Sequence, residues 1–219
     1  MGSEMCIRDS LEPISLLLRL SIILKNNDPI YLATGNPGKV KEFNGMLSGY
    51  QIHSYKELIN ADLPEETGSS FVENALIKAQ FVSSYTERMV LADDSGLIVP
   101  ELNYCPGIKS ARFAGDNASD RENREKLQRL IAGLEVEFLP AYFICILVLI
   151  RFPKDPLPII KTGKMHGYVS VNEQGDKGFG YDKMFYLDNK VDTLASVDAT
   201  KKNLISHRAK AVKKLLAAI

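Results

Sequence analysis

The sequence predicts an α/β fold, in which helices pack on a buried sheet, and three stretches carry this prediction. Residues 30–33 are apolar and run directly into a glycine turn and a helical pattern. Residues 88–97 are an apolar run that passes into Asp93-Asp94-Ser95-Gly96. Residues 141–152 are a continuous β-rich apolar run, which is typical of a strand at the centre of a sheet. Strands that alternate with helical patterns indicate the α/β class.

The first strand leads into Thr34-Gly35-Asn36-Pro37-Gly38-Lys39, and an apolar stripe over residues 40–47 predicts a helix that starts at Pro37 and stops at Gly49. Free backbone N–H groups and the dipole at a helix N-terminus can hold an anion, and Lys39 adds a positive charge. This stretch therefore predicts a phosphate-binding turn, although its spacing is not that of a Walker loop. An ordinary strand-to-helix turn is the alternative.

The middle of the chain contains weaker elements. Residues 51–54 are a possible second strand, and residues 70–85 predict a helix that begins at Ser70. Glycines and prolines make residues 106–115 a loop-rich insertion, which leads into a helix over residues 119–132.

The Asp-Asp-Ser-Gly sequence is expected to be a turn where a buried strand emerges at an open edge of the sheet. Ligands of open α/β sheets bind beyond the carboxyl ends of strands, so Asp93 and Asp94 are candidates for chemistry. The acidic loop over residues 62–68, with Glu65 and Glu66, contributes only if the fold brings it to Asp94. Carboxylates with substrate phosphates suit Mg²⁺. A solvated turn and a solvated loop are the alternative.

Residues 156–171 are expected to supply one or two further strands, broken at Gly163 and Gly167. The next dense signal is the sequence Gly178-Phe179-Gly180-Tyr181-Asp182, which lies between two predicted strands. Its glycines let the backbone approach a ligand, and an aromatic side chain on such a loop can stack on a planar base. A hairpin turn that only buries its aromatic side chains is the alternative.

The chain ends in a predicted helix over residues 200–219, which carries a regular apolar stripe. Lys201, Lys202, His207 and Arg208 lie near its start, off that stripe. Cations at a helix N-terminus oppose the helix dipole, so stability alone does not account for them. An anionic ligand would resolve the conflict, and the alternative is a solvated surface with an incidental histidine.

Composition narrows the class of partner. The 219 residues suffice for one sizeable core, or one core with a smaller lobe, and 27 basic residues balance 27 acidic ones. No basic field therefore indicates a nucleic-acid or membrane partner, and a small molecule is favoured. Three widely spaced cysteines, Cys6, Cys105 and Cys145, favour a reducing cytoplasm over a disulfide framework or a zinc site.

Residues 1–28 are expected to be an extension outside the fold, and residues 29–219 to form the catalytic domain. Residues 16–24 have the length of a signal-peptide core, but Asp9 and Glu12 precede them and no small-residue cleavage site follows. No stretch reaches the roughly 20 apolar residues of a membrane helix.

Six segments together closely resemble the inosine triphosphate pyrophosphatase family, also described as house-cleaning purine nucleoside triphosphatases. Each motif is weak alone, but they occur in the family's order from about residue 30 to the C-terminus. The segments are Ala33-Thr34-Gly35-Asn36-Pro37-Gly38-Lys39, Glu66-Thr67-Gly68 with Ser70-Phe71-Val72-Glu73-Asn74-Ala75, Ala92-Asp93-Asp94-Ser95-Gly96-Leu97, Pro106-Gly107-Ile108 with Ser110-Ala111-Arg112, Phe179-Gly180-Tyr181-Asp182, and Ser206-His207-Arg208.

The resemblance implies a homodimeric, Mg²⁺-dependent enzyme that cleaves ITP, dITP and XTP to the nucleoside monophosphate and pyrophosphate, and so cleanses the nucleotide pool. It implies a long mixed β-sheet flanked by helices in two lobes, with the active site in the central cleft. Asp94 is similar to the family's catalytic base and metal ligand, and Glu65 or Glu66 to a second metal ligand. The implied contacts to phosphates and sugar are Thr34, Gly35, Asn36, Pro37, Gly38, Lys39, Ser95 and Lys202, and the implied base pocket is Phe179, Gly180, Tyr181, Asp182, His207 and Arg208.

The chemistry of Arg208 agrees with this base pocket. A guanidinium donates hydrogen bonds and accepts none, so it can pair with the 6-oxo group of hypoxanthine or xanthine but not with the 6-amino group of adenine. Facing donors leave both groups unpaired, which disfavours ATP. The rejection of GTP, which also has a 6-oxo group, does not follow from this.

Two alternatives fit the same motifs. One is a Maf-type nucleotide pyrophosphatase that acts on modified pyrimidine nucleotides, although the Ser-His-Arg sequence favours purines. The other is a catalytically silent nucleotide-binding regulator. Loss of metal ligands would mark such a regulator, whereas Asp94, Glu65 and Glu66 are all present.

Overall fold

The computed structural model describes residues 29–219, so the expected extension over residues 1–28 lies outside it. The fold is built on one six-stranded sheet with the strand order β2-β1-β3-β4-β5-β6. β1 is parallel to β2 and β3, and the remaining pairs are antiparallel, so the predicted mixed sheet is confirmed. The strands are β1 (Ile30–Ala33), β2 (Ile52–Ser54), β3 (Met89–Ile98), β4 (Leu139–Ile150), β5 (Ile159–Val169) and β6 (Phe185–Tyr186).

In the part of the chain that the structure describes, five helices flank the sheet, and three of them start where the sequence predicts. Asn36, Ser70 and Ser119 each accept a backbone N–H in the first turn, so their side chains fix these starts. Within residues 29–219, none of the helices has the length and apolar character needed to cross a membrane. The helices are α1 (Pro37–Met46), α2 (Phe71–Ser83), α3 (Asp120–Ala132), α4 (Ala199–Ile205) and α5 (His207–Leu216), with 3₁₀ turns at Tyr55–Glu57, Pro100–Leu102 and Gly107–Arg112.

The two faces of the sheet bury different helices, because side chains alternate along each strand. Leu91 and Leu147 face a core that α1 and α5 complete, whereas Val90 and Val148 face α2. A third cluster continues along the first face, where Leu97 packs with α3. The gap between the first and third clusters is where polar side chains of β3 gather.

The Asp-Asp-Ser-Gly sequence is not a turn, and that prediction was wrong. β3 continues through it to Ile98 because β4 pairs with it along the whole stretch, and this long antiparallel ladder overrides the local turn preference of the four residues. The ladder between β1 and β3 stops at the pair of Ala33 and Ala92. The cleft therefore opens beside a continuing strand, at the point where its neighbour ends.

The last helix is divided, whereas the sequence predicted one helix over residues 200–219. Ser206 ends α4 with an extended ψ of 161° and begins α5, where its hydroxyl accepts the N–H of Ala209 at 3.1 Å. A serine that caps a helix favours such a break. The break places His207 and Arg208 in the first turn of a separate helix.

β5 runs unbroken through both glycines at which a break was predicted. A Cβ at Gly163 would lie 2.0 Å from the carbonyl oxygen of His207, and one at Gly167 would lie 2.4 Å from that of Tyr186. The glycines therefore admit neighbouring backbone rather than end the strand.

β4 lies next to the centre of the sheet, as predicted, but it is not buried throughout. Its second half is buried, whereas Pro140 is exposed and Tyr142 and Ile144 are only half-buried. This end of the strand therefore alternates as a strand with one solvated face does.

Candidate active site

The structure gathers most of the predicted site residues around one cleft, where β1 ends and β3 continues. Residues from both sides of the cleft and from the final helix contribute to its lining. The predicted residues that line it are Thr34, Gly35, Asn36, Lys39, Glu66, Asp94, Ser95, Phe179, Gly180, Tyr181, Asp182, His207 and Arg208.

The remaining predicted residues lie just outside the lining. Glu65 is exposed on its loop and does not line the cleft, whereas its neighbour Glu66 does. Pro37 forms the first turn of α1, and Gly38 is covered by the ring of Phe179. Lys202 is buried behind that ring.

Asp94 lies on the α2 face of the sheet, within a small cluster of charges. The ammonium group of Lys78 lies 2.7 Å from Glu66 Oε1 and 3.5 Å from Asp94 Oδ1. Arg112 Nη1 donates to Glu66 Oε2 at 2.7 Å, so Glu66 is held from two sides. Lys78 thereby joins the two carboxylates that the sequence singled out.

Burial raises the pKa of Asp94 to about 6, and the neighbouring Glu66 adds to this rise while Lys78 opposes it. Burial would also raise the pKa of Glu66, but Lys78 and Arg112 hold it below the ordinary value. Asp94 is thus ionised near neutral pH and still basic enough to accept a proton, which suits a general base.

The donors around Asp94 fit a hard cation. Asp94 Oδ2 is buried without a hydrogen-bond partner, whereas Asp94 Oδ1 and Glu66 Oε1 both lie next to the Lys78 ammonium group. Among residues 29–219, no group of three or more His, Cys, Asp and Glu side chains is arranged to hold a metal ion. The unpartnered oxygen of Asp94 beside a second carboxylate suits Mg²⁺, which commonly completes its shell with water and substrate phosphates.

Asp93 points to the opposite face and plays a different part. It is fully buried, and Lys39 Nζ lies 3.0 Å and Arg208 Nε 3.6 Å from its Oδ2, which also accepts the Ser95 hydroxyl at 2.6 Å. Burial would raise the pKa of Asp93, but Lys39 and Arg208 hold it below the ordinary value. Asp93 thus fixes two cations at the cleft.

A half-buried carboxylate resolves the conflict of cations at the start of the final helices. Glu42, on α1, accepts a hydrogen bond from Arg208 Nη1 and lies 2.7 Å from Lys202 Nζ. Lys202 also donates to Asp182 Oδ2 at 2.6 Å. Protein carboxylates therefore balance these charges, where the sequence suggested an anionic ligand.

The side of the cleft that carries Phe179 and His207 is aromatic and polar. The ring of Phe179 has Lys202 Nζ at 4.8 Å and the Arg208 guanidinium at 5.5 Å from its centroid. His207 stacks on Phe143 with ring centroids 4.7 Å apart. Burial, with the charges of Arg208 and Lys202, keeps the pKa of His207 well below its ordinary value, so its ring is neutral.

Sequence reasoning missed Lys78 and Glu42, as well as Phe143 and Asp120, which line the cleft. Lys78 carried a usable signal, because it occupies a buried position of α2 between Ala75 and Val82. A lysine on the buried face of a helix is rare unless it is paired. Glu42 carried no comparable signal, since its partners lie far along the chain.

Comparison with known families matches residues 30–218 to the Ham1 family. A dITP/XTP pyrophosphatase of Legionella pneumophila (strain Lens) is 48% identical over 188 residues, which are 86% of this chain and 96% of that protein. A dITP/XTP pyrophosphatase of Haemophilus influenzae is 44% identical over 185 residues, or 84% of this chain and 94% of that protein.

Solved structures agree with these matches. A HAM1 protein from Coxiella burnetii has a TM-score of 0.79 and 38% identity, and the match covers 87% of this chain and 97% of that one. The Staphylococcus aureus Ham1 protein has a TM-score of 0.75 and 37% identity, with the same coverage of both chains.

Proposed function

This chain belongs to the Ham1 family, and from that premise we propose that it hydrolyses non-standard purine nucleoside triphosphates such as dITP, ITP and XTP. The products are the nucleoside monophosphate and pyrophosphate. The observation that carries the proposal is the buried Asp94, which has an unpartnered oxygen and shares one cleft with a phosphate turn and an aromatic base pocket. The catalytic domain that we propose is residues 29–219.

The chemical step needs an activated water. Asp94 Oδ2 accepts a proton from the water while the oxygen of that water bonds to the α-phosphorus. The bond between the α-phosphorus and the oxygen that bridges to the β-phosphorus breaks. The pyrophosphate leaves with the electron pair of that bond. A pKa of about 6 makes Asp94 a competent proton acceptor at neutral pH.

The negative charge of the triphosphate meets the phosphate turn. Asn36 caps α1 by accepting the N–H of Lys39 at 3.2 Å, and the positive end of the helix dipole favours an anion at this end of the helix. Lys39 lines the same cleft and adds a full positive charge. These groups bind the charge that develops on the leaving pyrophosphate.

We assign Asp94 and Glu66 as the residues that hold Mg²⁺, and Glu65 is not included because it lies outside the cleft. When bound, the ion neutralises phosphate charge as a Lewis acid. Lys78 keeps the two carboxylates together on the protein side of the site.

The proposal also includes a cytoplasmic homodimer. Cys105 and Cys145 are free thiols, as expected in a reducing compartment. Ile160 is 40% exposed, and Tyr142 and Ile144, on the same face of the sheet, are half-buried, so a second copy would cover this face.

Incubation with dITP and Mg²⁺ tests the function. We expect dIMP and pyrophosphate in equal amounts, with much slower turnover of ATP under the same conditions. Release of inorganic phosphate as the primary product, or no turnover of any triphosphate, would contradict the proposal. Preference for modified pyrimidine nucleotides would indicate the Maf-type activity, and tight ITP binding without turnover would indicate a regulator.

Arg208→Lys should narrow the preference for ITP over ATP by at least about tenfold in kcat/KM. The lysine keeps a positive charge beside Glu42, so the fold should persist, but it lacks the planar guanidinium that presents donors to a 6-oxo group. Kinetics with both nucleotides measure the ratio. Arg151→Lys is the matched control, because Arg151 pairs with Asp155 outside the cleft. An unchanged ratio in Arg208→Lys would assign discrimination to another group.

A further inference from the structure

The loop that carries Phe179 is held from outside by α3. Asp120 Oδ2 accepts the backbone N–H of Gly180 at 2.7 Å, and Arg124 Nη1 donates to the carbonyl oxygen of Gly180 at 2.9 Å. The two side chains are one helical turn apart, so they lie on the same face of α3. Together they bind both peptide groups that flank Gly180.

These contacts are not a by-product of capping α3. Ser119 and Glu122 form the capping box of that helix, which leaves the carboxylate of Asp120 available for Gly180. Arg124 is fixed in turn, because its Nε donates to Glu173 Oε1 at 2.8 Å and its side chain is only 11% exposed. The pair therefore has a defined geometry at the edge of the cleft.

The loop needs such support. Gly180 has a positive φ of 60°, and no atom lies within 4 Å of the position that a Cβ would take there. Glycine in open space has many accessible conformations, so packing does not select this one. From inside, Asp182 Oδ2 accepts the N–H of Phe179 at 2.9 Å. The contacts from α3 complete the restraint from the other side.

The restraint determines where the ring of Phe179 lies. The ring covers Lys202 and Arg208 and rests on the phosphate turn, where a Cβ at Gly38 would be 2.8 Å from its Cδ1 atom. Phe179 therefore spans the cleft between the loop and the start of α1. A small rotation at Gly180 would move the ring off both cations.

We propose that Asp120 and Arg124 are positioning residues for nucleobase recognition, which act by holding the Phe179 ring as a preformed platform for the purine. This inference rests on the proposed function for its substrate, whereas the restraint itself is independent of catalysis. A platform held before binding removes the ordering cost that the nucleotide would otherwise meet. Its loss should affect binding of the base more than chemistry at the α-phosphorus.

Steady-state kinetics with dITP provide the first test. Asp120→Ala should raise KM about tenfold and change kcat by less than about threefold, because binding is lost equally from ground state and transition state. Asp120→Asn keeps an oxygen acceptor for Gly180 N–H and should return KM to within about threefold of the unaltered protein. Arg121→Ala is the matched control and should change neither constant, because the Arg121 side chain is 81% exposed and pairs with Glu125 on the same helix.

A spectroscopic test separates positioning from direct contact, since Asp120 also lines the cleft. The protein has no tryptophan, so Phe179→Trp introduces a single reporter on the loop. In the nucleotide-free protein, Asp120→Ala in this background should increase acrylamide quenching at least about twofold, while Asp120→Asn should not.

Unchanged quenching with Asp120→Ala, or equal rises of KM in the Ala and Asn variants, would overturn the inference. Absence of dITP turnover by the unaltered protein would instead contradict the proposed function. The quenching experiment would still show whether Asp120 restrains the loop that carries Phe179. If Phe179→Trp fails to fold, the comparison of KM in Asp120→Ala and Asp120→Asn decides it.

Discussion

Replacing Asp94 with asparagine is expected to lower kcat for dITP by about 10²- to 10⁴-fold, the usual contribution of a positioned general base. Asparagine has nearly the same shape, but its amide cannot take a proton from the attacking water. Burial makes the charged form of Asp94 costly, so this substitution should leave the protein folded. Rapid-quench or steady-state assays of pyrophosphate release measure the loss, and activity within about threefold of normal would remove Asp94 from this role.

The same substitution should make the metal-free protein more stable at pH 8. The pKa of Asp94 rises from its ordinary value of 3.8 to about 6 in the fold, so its stabilising contribution is present below pH 3.8 and is lost as pH rises through about 6. A rise of this size corresponds to about 3 kcal/mol in the free energy of unfolding. Relative to the unaltered protein, Asp94→Asn should therefore gain stability between pH 4 and pH 8.

Asp93→Asn is the matched control, because the pKa of Asp93 is shifted in the opposite direction to that of Asp94. The pKa of Asp93 is held below its ordinary value, so its contribution is present above that value and is lost only in strong acid. Asp93→Asn should therefore lower the melting temperature at pH 8. Thermal unfolding in the presence of a chelator measures both variants, and shifts of the same sign at pH 8 would contradict the assignment of the two carboxylates.

Gly163→Ala should destabilise the protein by about 3 kcal/mol, at the upper end of the cost of overpacking. The new Cβ would lie 2.0 Å from the carbonyl oxygen of His207 and 2.5 Å from the N atom of Ala211. Both are backbone atoms of α5, so relief requires moving the helix that carries Arg208. Urea unfolding should show the lost stability, and dITP turnover should fall with it.

Gly133→Ala provides the comparison for this prediction. A Cβ at Gly133, just after α3, would meet its nearest neighbour at 3.6 Å, which is ordinary van der Waals contact. The free energy of unfolding of this variant should lie within about 0.5 kcal/mol of that of the unaltered protein, as is usual for surface substitutions. Equal effects of the two substitutions would show that α5 does not depend on the close approach at Gly163.

Much of the fold could be predicted because its signals are local. The side chains of Asn36, Ser70 and Ser119 cap the helices that follow them, so these helix starts can be predicted from the sequence. The apolar run of β4 likewise indicates a central strand. The turn predicted at Asp93 and Asp94 was wrong because pairing with β4, a non-local interaction, decides the conformation of these residues. The resemblance to the inosine triphosphate pyrophosphatase family is confirmed by the family match.

The site was predictable where residues cluster in short motifs and hidden where distant segments meet. Asp94, the phosphate turn and Arg208 all reach the cleft. The pairing of Glu42 with Arg208 joins positions 166 residues apart, and no local pattern indicates it. Choosing Glu66 over Glu65 needs the position of Lys78, which depends on how α2 packs on the sheet.

The register of β3 determines the surroundings of its two adjacent carboxylates. Neighbouring residues of a strand face opposite sides of the sheet, and the alignment of β3 with β4, from the pair of Val90 and Ile150 to the pair of Ile98 and Tyr142, decides which side each carboxylate takes. A slip of one residue would exchange the faces of every side chain on the strand. Asp94 would then stand next to Lys39 and Arg208, and Asp93 would face Lys78. A single residue inserted into or deleted from β3 before Asp93 should therefore disrupt the arrangement of both carboxylates.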